Sequence, residues 1–282
     1  MAADGHCVWL YAVAGDFTAP IAGELTGVGG SVVRPVRAAG LTAIVGDVDQ
    51  PDFGEAALRR NLEDLDWLEQ TARAHHAVIE AAARRGPVIP MRLATVYNSD
   101  AGVAGTLHER SADFRQALSR VSACSEWGVK GYTAKPAAHG PAAPGPAAPG
   151  PAAPGTASGS QTGGRDGSAG GPGAAYLRRR RAQLAAQDDA RQESMASAQV
   201  VYAELGRLSV SARLYPPQSP ELTGQPVSMV LNAAYLVADE RADEFAAAVA
   251  DLAAQHRSVQ LNLTGPWPAY SFVGMREAEG LQ

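Results

Sequence analysis

A tract of proline, alanine and glycine interrupts the chain near its middle and limits how the chain can fold. Residues 141–155 are three copies of Pro-Ala-Ala-Pro-Gly, and residues 156–174 are rich in glycine, serine and threonine with almost no large apolar side chain. Such a composition cannot bury enough surface to offset the entropy lost on ordering. The sequence therefore predicts a folded unit over residues 1–133, a disordered linker over 134–174 and a second folded unit over 175–282.

The first unit alternates between the two-residue period of strands and the three- and four-residue spacing of helices. A short Ala-Gly turn joins two neighbouring strands, which indicates an antiparallel hairpin. With helices on one face of a largely antiparallel sheet, the predicted class is α+β, an open sandwich of modified ferredoxin-like type. The predicted elements are strands at residues 7–14, 31–36, 41–48, 88–97 and 126–133, and helical stretches at 54–85 and 103–122. The predicted apolar faces of the two helical stretches are formed by Leu58, Leu62, Leu65, Ala72, His76, Ile79 and Ala83, and by Leu107, Phe114, Leu118 and Val121.

The second unit begins with a long helix and is predicted to be a smaller α+β domain with a similar combination of strands and helices. The run Arg178–Arg181 in this helix suggests nucleic-acid binding, but Asp188, Asp189 and Glu193 follow within a few turns. This mixture of charges favours a solvated helix face instead. The predicted elements are helices at residues 176–205 and 241–256, and strands at 208–214, 227–237 and 259–264. The predicted packing stripes of the two helices are Met195, Ala198, Tyr202 and Leu205, and Phe245, Val249, Leu252 and His256.

The stretch GPVIPMRLATVY at residues 86–97 joins the longest helical pattern of the first unit to a strand. Gly86 favours a helix cap and Pro87 cannot continue the helix, so the helix ends there. Pro90 has no amide hydrogen for a strand ladder, which predicts a sheet edge or a bulge. Arg92 carries a charge within an apolar strand, so its guanidinium must reach solvent or a carboxylate.

Four motifs in this order resemble the gas vesicle protein F/L family. They are DLDWLEQTARAHHAVIEAAARRGP at 64–87, VIPMRLATVY at 88–97, EWGVKGY at 126–132 and LNLTGPWPAYSFV at 261–273. The match spans both ends of the chain and leaves out only the middle. One departure is visible: a Phe-Gly pair is expected after the arginine, where this chain has Leu93 and Ala94. Leu93 and Ala94 are compatible with a continuing strand, but their side chains argue against a close approach of another part of the chain that would require glycine here.

The resemblance implies a non-enzymatic gas vesicle assembly protein, a minor vesicle component in the cytoplasm. Its implied partners are the small apolar shell protein and other vesicle accessory proteins, and its implied role is to start or extend the shell. Binding such a shell protein requires apolar surface, because charge pairs at a solvated rim contribute little affinity. The candidate partner-binding residues are Pro90, Met91, Arg92 and Leu93 at the sheet edge, and Trp267, Tyr270 and Phe272 in the aromatic segment. The alternative for the three aromatic rings is that they fill the space between the two units.

Composition argues against several function classes. The formal net charge is −5, without the strongly basic footprint that nucleic-acid binding requires. No apolar run reaches the roughly 18 residues of a membrane span, and the N-terminal residues lack a signal-peptide pattern. Cys7 and Cys124 do not have metal-ligand spacing, which is typical of reduced cytosolic thiols.

No constellation for catalysis, metal or cofactor is apparent, so we predict none of the three. His75 and His76 are adjacent and point about 100° apart on a helix, so they cannot chelate one metal together, and a core or boundary histidine is favoured. The GVGG sequence at 27–30 lacks the Lys-Ser/Thr of a phosphate loop. The alternative function is a small-molecule-binding enzyme or sensor on ferredoxin-like domains, which requires a pocket with paired polar groups.

Overall fold

The computed structural model describes residues 5–15, 25–134, 172–218 and 228–273. The linker predicted over 134–174 lies almost entirely outside these residues. The first elements are β1 His6–Ala14, β2 Val33–Ala38, β3 Leu41–Asp49, α1 Gln50–Phe53, α2 Glu55–Asn61, α3 Leu65–Ala83, β4 Val88–Pro90, β5 Val96–Tyr97, α4 Asp100–Glu109 and α5 Ser111–Val121. The later elements are β6 Cys124–Thr133, α6 Pro172–Leu208, β7 Ser211–Leu214, β8 Met229–Ala238, α7 Ala242–Gln255 and β9 Val259–Trp267.

The first sheet is antiparallel, with strand order β2-β3-β1-β4 and with β5 paired to β1 beside β4. The predicted hairpin is confirmed: β2 and β3 pair from Val33 opposite Gly46 to Ala38 opposite Leu41. Ala39 and Gly40 form the turn, both with positive φ, which suits the right-handed twist of the two strands.

The second sheet is also antiparallel and has the order β7-β8-β6-β9. If β1–β4 of the first sheet and the four strands of the second sheet are each numbered 1 to 4 along the chain, both sheets have the spatial strand order 2-3-1-4. This is the strand order of a ferredoxin-like sheet. In the second sheet, α6 and α7 supply the two helical connections, while α1, α2 and α3 connect β3 to β4 in the first. The predicted α+β class is confirmed, with two antiparallel sheets and one long helix.

The sheet to which β6 belongs differs from the expectation. We expected the strand over 126–133 to complete the first sheet, and this placement is wrong. β6 lies in the middle of the second sheet, where Val129 is opposite Ala233 of β8 and Leu263 of β9. An alternating pattern predicts a strand but not its neighbours, because either sheet offers a matching apolar face. The division into folded units at residue 133 stays a prediction.

The first sheet is buried on both faces, so the expectation of helices on one face is wrong. Along β1, Trp9 and Tyr11 pack in the cluster that includes α3, whereas Val8 and Leu10 pack in the cluster that includes α4 and α5. The reason is visible in the sequence of β1, which is apolar at successive positions rather than alternating.

The two sheets share one hydrophobic core. The cluster that holds Val8 and Leu10 also contains Ala234 and Leu236 of β8 and Phe272 beyond β9.

In α3 and α6, the residues that are buried differ in part from the apolar faces that the sequence predicted. The stretch 54–85 forms the separate helices α2 and α3, and Leu62 and Leu65 are exposed. In α3, His75 rather than His76 faces the core. The buried side chains are Thr71, His75, Val78, Ile79, Ala81 and Ala82 in α3, and Ser194, Ala198, Val201 and Leu205 in α6. In α4, α5 and α7, the predicted core residues Leu107, Phe114, Leu118, Val121, Phe245, Val249 and Leu252 are buried as expected, whereas His256, just after α7, is only half-buried.

Candidate partner-binding site

Three rings from distant motifs form an exposed cluster, here named the aromatic patch: His76, Trp267 and Tyr270. Trp267 ends β9 and is 43% exposed, and Tyr270 follows it and is 38% exposed. Both lie against α3, where the His76 ring centroid is 5.7 Å from that of Trp267 and 6.0 Å from that of Tyr270. A hydrogen bond of 3.0 Å joins His76 Nδ1 to the Tyr270 hydroxyl. The patch thus combines apolar ring area with polar edges, a mixture typical of binding surfaces.

The backbone beneath the patch is held by side chains of the neighbouring elements. Glu126 of β6 accepts hydrogen bonds from the Ser271 N–H at 2.7 Å and the Ser271 hydroxyl at 2.5 Å. Arg120 of α5 donates to the Phe272 carbonyl at 3.4 Å. Phe272 itself is buried, with the Arg213 guanidinium 5.9 Å from its ring centroid. Phe272 therefore anchors the segment in the shared core and does not offer its ring to a partner.

Electrostatics keep the tyrosine of the patch uncharged. Burial raises the pKa of the Tyr270 hydroxyl, and the carboxylates of Glu126 and Glu80 raise it further. Burial also raises the pKa of the Glu126 carboxyl, against the opposing effects of the Ser271 hydrogen bonds and Arg213. The Tyr270 ring thus meets a partner as a neutral, hydrogen-bonding aromatic.

A cavity of about 550 Å³ opens beside the patch, between the end of α3 and the turn that leads into β6. Trp267, Pro266 and Pro268 form an apolar wall, and Arg84 and Arg85 contribute cationic groups. The cavity lies where the two parts of the chain meet, and its two kinds of wall suit a partner that is apolar with a polar margin.

The predicted sheet edge is shorter and more covered than expected. β4 ends at Pro90, and a turn separates it from β5, so the single strand predicted over 88–97 is wrong. Pro90 and Met91 are buried, and the Met91 N–H donates to the Tyr11 carbonyl at 2.9 Å. Arg92 is exposed, which confirms that its charge reaches solvent, and Leu93 is half-buried.

Ala94 occupies the turn between β4 and β5 in a left-handed conformation, with a φ of 62°. Such a φ favours glycine, because a side chain at Cβ crowds the backbone there. The glycine expected at this position from the family resemblance therefore matches a backbone requirement, whereas we had expected the strand to continue.

His75 is a core histidine with both ring nitrogens in use. The Trp9 indole N–H donates to His75 Nδ1 at 2.9 Å, so the ring proton lies on Nε2, which donates to the Met91 carbonyl at 3.1 Å. The residue is 4% exposed, and burial lowers the pKa of its imidazole. The interpretation of His75 as a satisfied core residue is confirmed.

The glycine-rich turn at 27–30 wraps around a tyrosine. The Val28 N–H donates to the Tyr11 hydroxyl at 2.8 Å, and a Cβ on Gly27 would lie 2.2 Å from that oxygen. Gly29 has a φ of 63°. These glycines are therefore explained by packing and backbone conformation, without a phosphate.

The described residues are 5–15, 25–134, 172–218 and 228–273. Within them, no group of three or more His, Cys, Asp or Glu side chains is placed to hold a metal ion, and no helix is long and apolar enough to cross a membrane. Cys7 and Cys124 are free, and Arg178–Arg181 is exposed.

Sequence reasoning identified Trp267 and Tyr270 but missed their neighbours. His76 was assigned to the buried stripe, and Glu126 was treated only as part of a strand. No local pattern links residue 76 to residue 270, because their proximity arises from packing of the two parts of the chain. A polar residue at the start of an apolar strand, such as Glu126, was the available signal for a buried contact.

Comparison with known proteins gives consistent results. The model of a family described as "Gas vesicle synthesis protein GvpL/GvpF" matches residues 7–274. Gas vesicle protein L of Streptomyces sp. (strain CB03234) is 38% identical over 280 residues, which cover 96% of this chain and 94% of that protein. Gas vesicle protein F1 of Halobacterium salinarum is 40% identical over 45 residues, which cover 16% of this chain and 21% of that protein.

Two crystal structures share the fold. The gas vesicle protein GvpF from Anabaena sp. PCC7120 superposes with a TM-score of 0.62 at 17% identity, covering 96% of this chain and 98% of that one. GvpF from Microcystis aeruginosa gives a TM-score of 0.59 at 16% identity, covering 95% of this chain and 99% of that one. At these identities the likeness concerns the fold alone.

Proposed function

The chain belongs to the gas vesicle synthesis protein GvpL/GvpF family, and we propose that it acts in gas vesicle formation by binding the apolar shell protein. In this proposal it is a non-enzymatic assembly factor and minor vesicle component that helps start or extend the shell. It works in the cytoplasm at the vesicle, together with other vesicle accessory proteins.

The observation that carries the proposal is the exposure of Trp267 and Tyr270 on a backbone held by Glu126 and Arg120. Large rings left at a surface on rigid backbone bind with little loss of conformational freedom. Aromatic side chains are also frequent among the few residues that dominate an interface. A shell protein that exposes apolar faces before assembly is the kind of partner that such a surface fits.

The sheet edge contributes less to the proposed surface than the sequence suggested. Pro90, Met91 and Phe272 are buried, so their side chains support the surface rather than contact a partner. Arg92 and Leu93 retain exposed atoms and are proposed as a second contact, to be tested separately. The alternative of a small-molecule enzyme or sensor stays a prediction, and a cavity of about 1210 Å³ lined by Asp47, Asp49 and Asp52 among others is where such a ligand would bind.

The test is capture of the shell protein by the tagged full-length chain. Trp267→Ala and Tyr270→Ala should each reduce capture strongly, because each removes an exposed ring of the patch. Tyr215→Ala is the matched control, since Tyr215 is 37% exposed after β7 and outside the patch. Arg92→Ala and Leu93→Ala examine the second contact, and circular dichroism verifies that every variant is folded.

Two results would contradict the proposal. The first is absence of capture by the wild-type chain at any salt concentration. The second is capture that Trp267→Ala and Tyr270→Ala leave equal to that of the Tyr215→Ala control.

A further inference from the structure

The N-terminal part of α6 has no partner in the described chain. Every side chain from Tyr176 to Glu193 is exposed, and the first buried residue is Ser194. At 1.5 Å per residue, this segment extends roughly 27 Å as a helix without tertiary contacts. An isolated helix of this length is marginal in water, so its helical state favours a partner that packs against it.

Charge is distributed unevenly along this exposed segment. Arg178–Arg181 lies near its start, and Asp188, Asp189 and Glu193 lie toward its end, with the single cation Arg191 among them. Arg180 donates to Gln183, but in the part of the chain that the structure describes no carboxylate forms an ion pair with Arg178–Arg181. The two groups are too far apart to pair within one helix, where partners stand three or four residues apart.

One face of the segment combines apolar and charged side chains. Leu177, Arg181, Leu184 and Asp188 are separated by four, three and four residues, so they share this face. Leu177 and Leu184 are 57% and 44% exposed. The face therefore carries a leucine near its middle, with a cation on one side and an anion on the other.

We propose that this segment pairs with the same segment of a second copy of the chain, in antiparallel orientation. When the two helices run in opposite directions about a point between Leu184 and Ala185, Arg181 faces Asp188 of the other copy. The symmetry repeats this pair, which gives two ion pairs around two central leucines, and Arg180 and Asp189 lie beside them on the flanks of the helix. A parallel pair in register places like charges together and is disfavoured.

Other occupants fit this face less well. Residues 135–171, which precede α6, contain a single acidic side chain, Asp166, and so cannot match the arginine run. A nucleic acid would meet Asp188, Asp189 and Glu193 as well as the arginines. A partner that places an anion opposite Arg181 and a cation opposite Asp188 matches the middle of the segment, and an antiparallel second copy supplies both.

Sedimentation of the purified full-length chain at tens of micromolar tests the proposal. The wild-type chain should dimerise at 50 mM NaCl and dissociate partly at 500 mM NaCl, because salt screens exposed ion pairs. The acidic variant, Arg180→Asp with Arg181→Asp, and the basic variant, Asp188→Arg with Asp189→Arg, should each self-associate about tenfold or more weakly. Circular dichroism shows whether the helix itself is retained.

Mixing and charge exchange make the test specific. An equimolar mixture of the acidic and basic variants should form a heterodimer, and the variant with all four substitutions should recover self-association. Arg59→Asp with Arg60→Asp makes the same charge change on exposed residues of α2 and should leave self-association unchanged. A monomeric wild-type chain at low salt, or a mixture that stays monomeric, would overturn the proposal.

Discussion

Replacing His75 by alanine should destabilise the protein by about 3–7 kcal/mol. The substitution leaves the Trp9 indole N–H and the Met91 carbonyl without their partner, and each buried unpaired group costs about 1–3 kcal/mol. It also removes a ring that packs 5.5 Å from Tyr11 and 5.9 Å from Trp9, measured between centroids, so a cavity adds about 1 kcal/mol or more. The sum is a large share of the 5–15 kcal/mol that stabilises a typical protein.

Urea unfolding followed by tryptophan fluorescence measures this loss of stability. His108→Ala is the matched control, because His108 is exposed on α4 and its removal should change the free energy of unfolding by less than about 0.5 kcal/mol. His75→Gln keeps one hydrogen-bonding group near the original position and should lie between the control and His75→Ala.

The same histidine makes stability depend on pH. Burial lowers the pKa of His75 below its ordinary value of 6.5, so on acidification the unfolded chain takes up this proton before the folded chain does. The contribution to stability is therefore complete above pH 6.5 and is lost as the pH falls toward the folded-state pKa. The fall in unfolding free energy between pH 7.5 and 5.5 should be smaller in His75→Gln than in the wild type.

One result would refute this account of His75. If His75→Ala unfolds within about 1 kcal/mol of the His108→Ala control, the two hydrogen bonds do not contribute as described.

Three further substitutions test single features of the fold by urea unfolding. Ala94→Gly should stabilise by about 0.5–1 kcal/mol, since glycine adopts the positive φ without strain; a loss of stability would contradict the left-handed turn. Arg34→Lys should lower the free energy of unfolding by about 1 kcal/mol, because only a guanidinium can donate hydrogen bonds through two nitrogens to Asp47 and through two nitrogens to Asp100. An unchanged free energy of unfolding would show that these partly exposed hydrogen bonds contribute nothing to stability. Tyr235→Phe should be neutral or stabilising, because the buried hydroxyl has no hydrogen-bond partner among the described residues, whereas a cost above about 1 kcal/mol would indicate a hidden one.

The sequence predicts where the strands and helices lie better than it predicts which of them pair or pack together. Strand and helix positions followed from periodicity, since each reflects burial along a few consecutive residues. The pairing of β6 with β8 and β9 did not follow, because a pattern records which side chains are buried and not what covers them. The two faces of β1 were accessible to sequence reasoning, since a run without polar residues is typical of a strand covered on both sides.

The sequence pattern also does not determine accurately which face of a helix is buried. A shift of one residue turns the buried stripe by about 100°, so the pattern placed His76 in the core where the structure has His75. That shift conceals a functional difference, because His75 joins Trp9 to Met91, whereas His76 belongs to the aromatic patch. Likewise, Ala94 departed visibly from the family pattern, but only the backbone geometry explains why glycine suits that position.

The affinity of the full-length chain for the shell protein, measured at 50 and 500 mM NaCl, tests the proposed function most directly. Contact through Trp267 and Tyr270 predicts a dissociation constant that changes less than about threefold with salt and rises at least about tenfold in Trp267→Ala. A dissociation constant that rises tenfold or more with salt, and is the same for Trp267→Ala as for the wild type, would contradict binding through the aromatic patch.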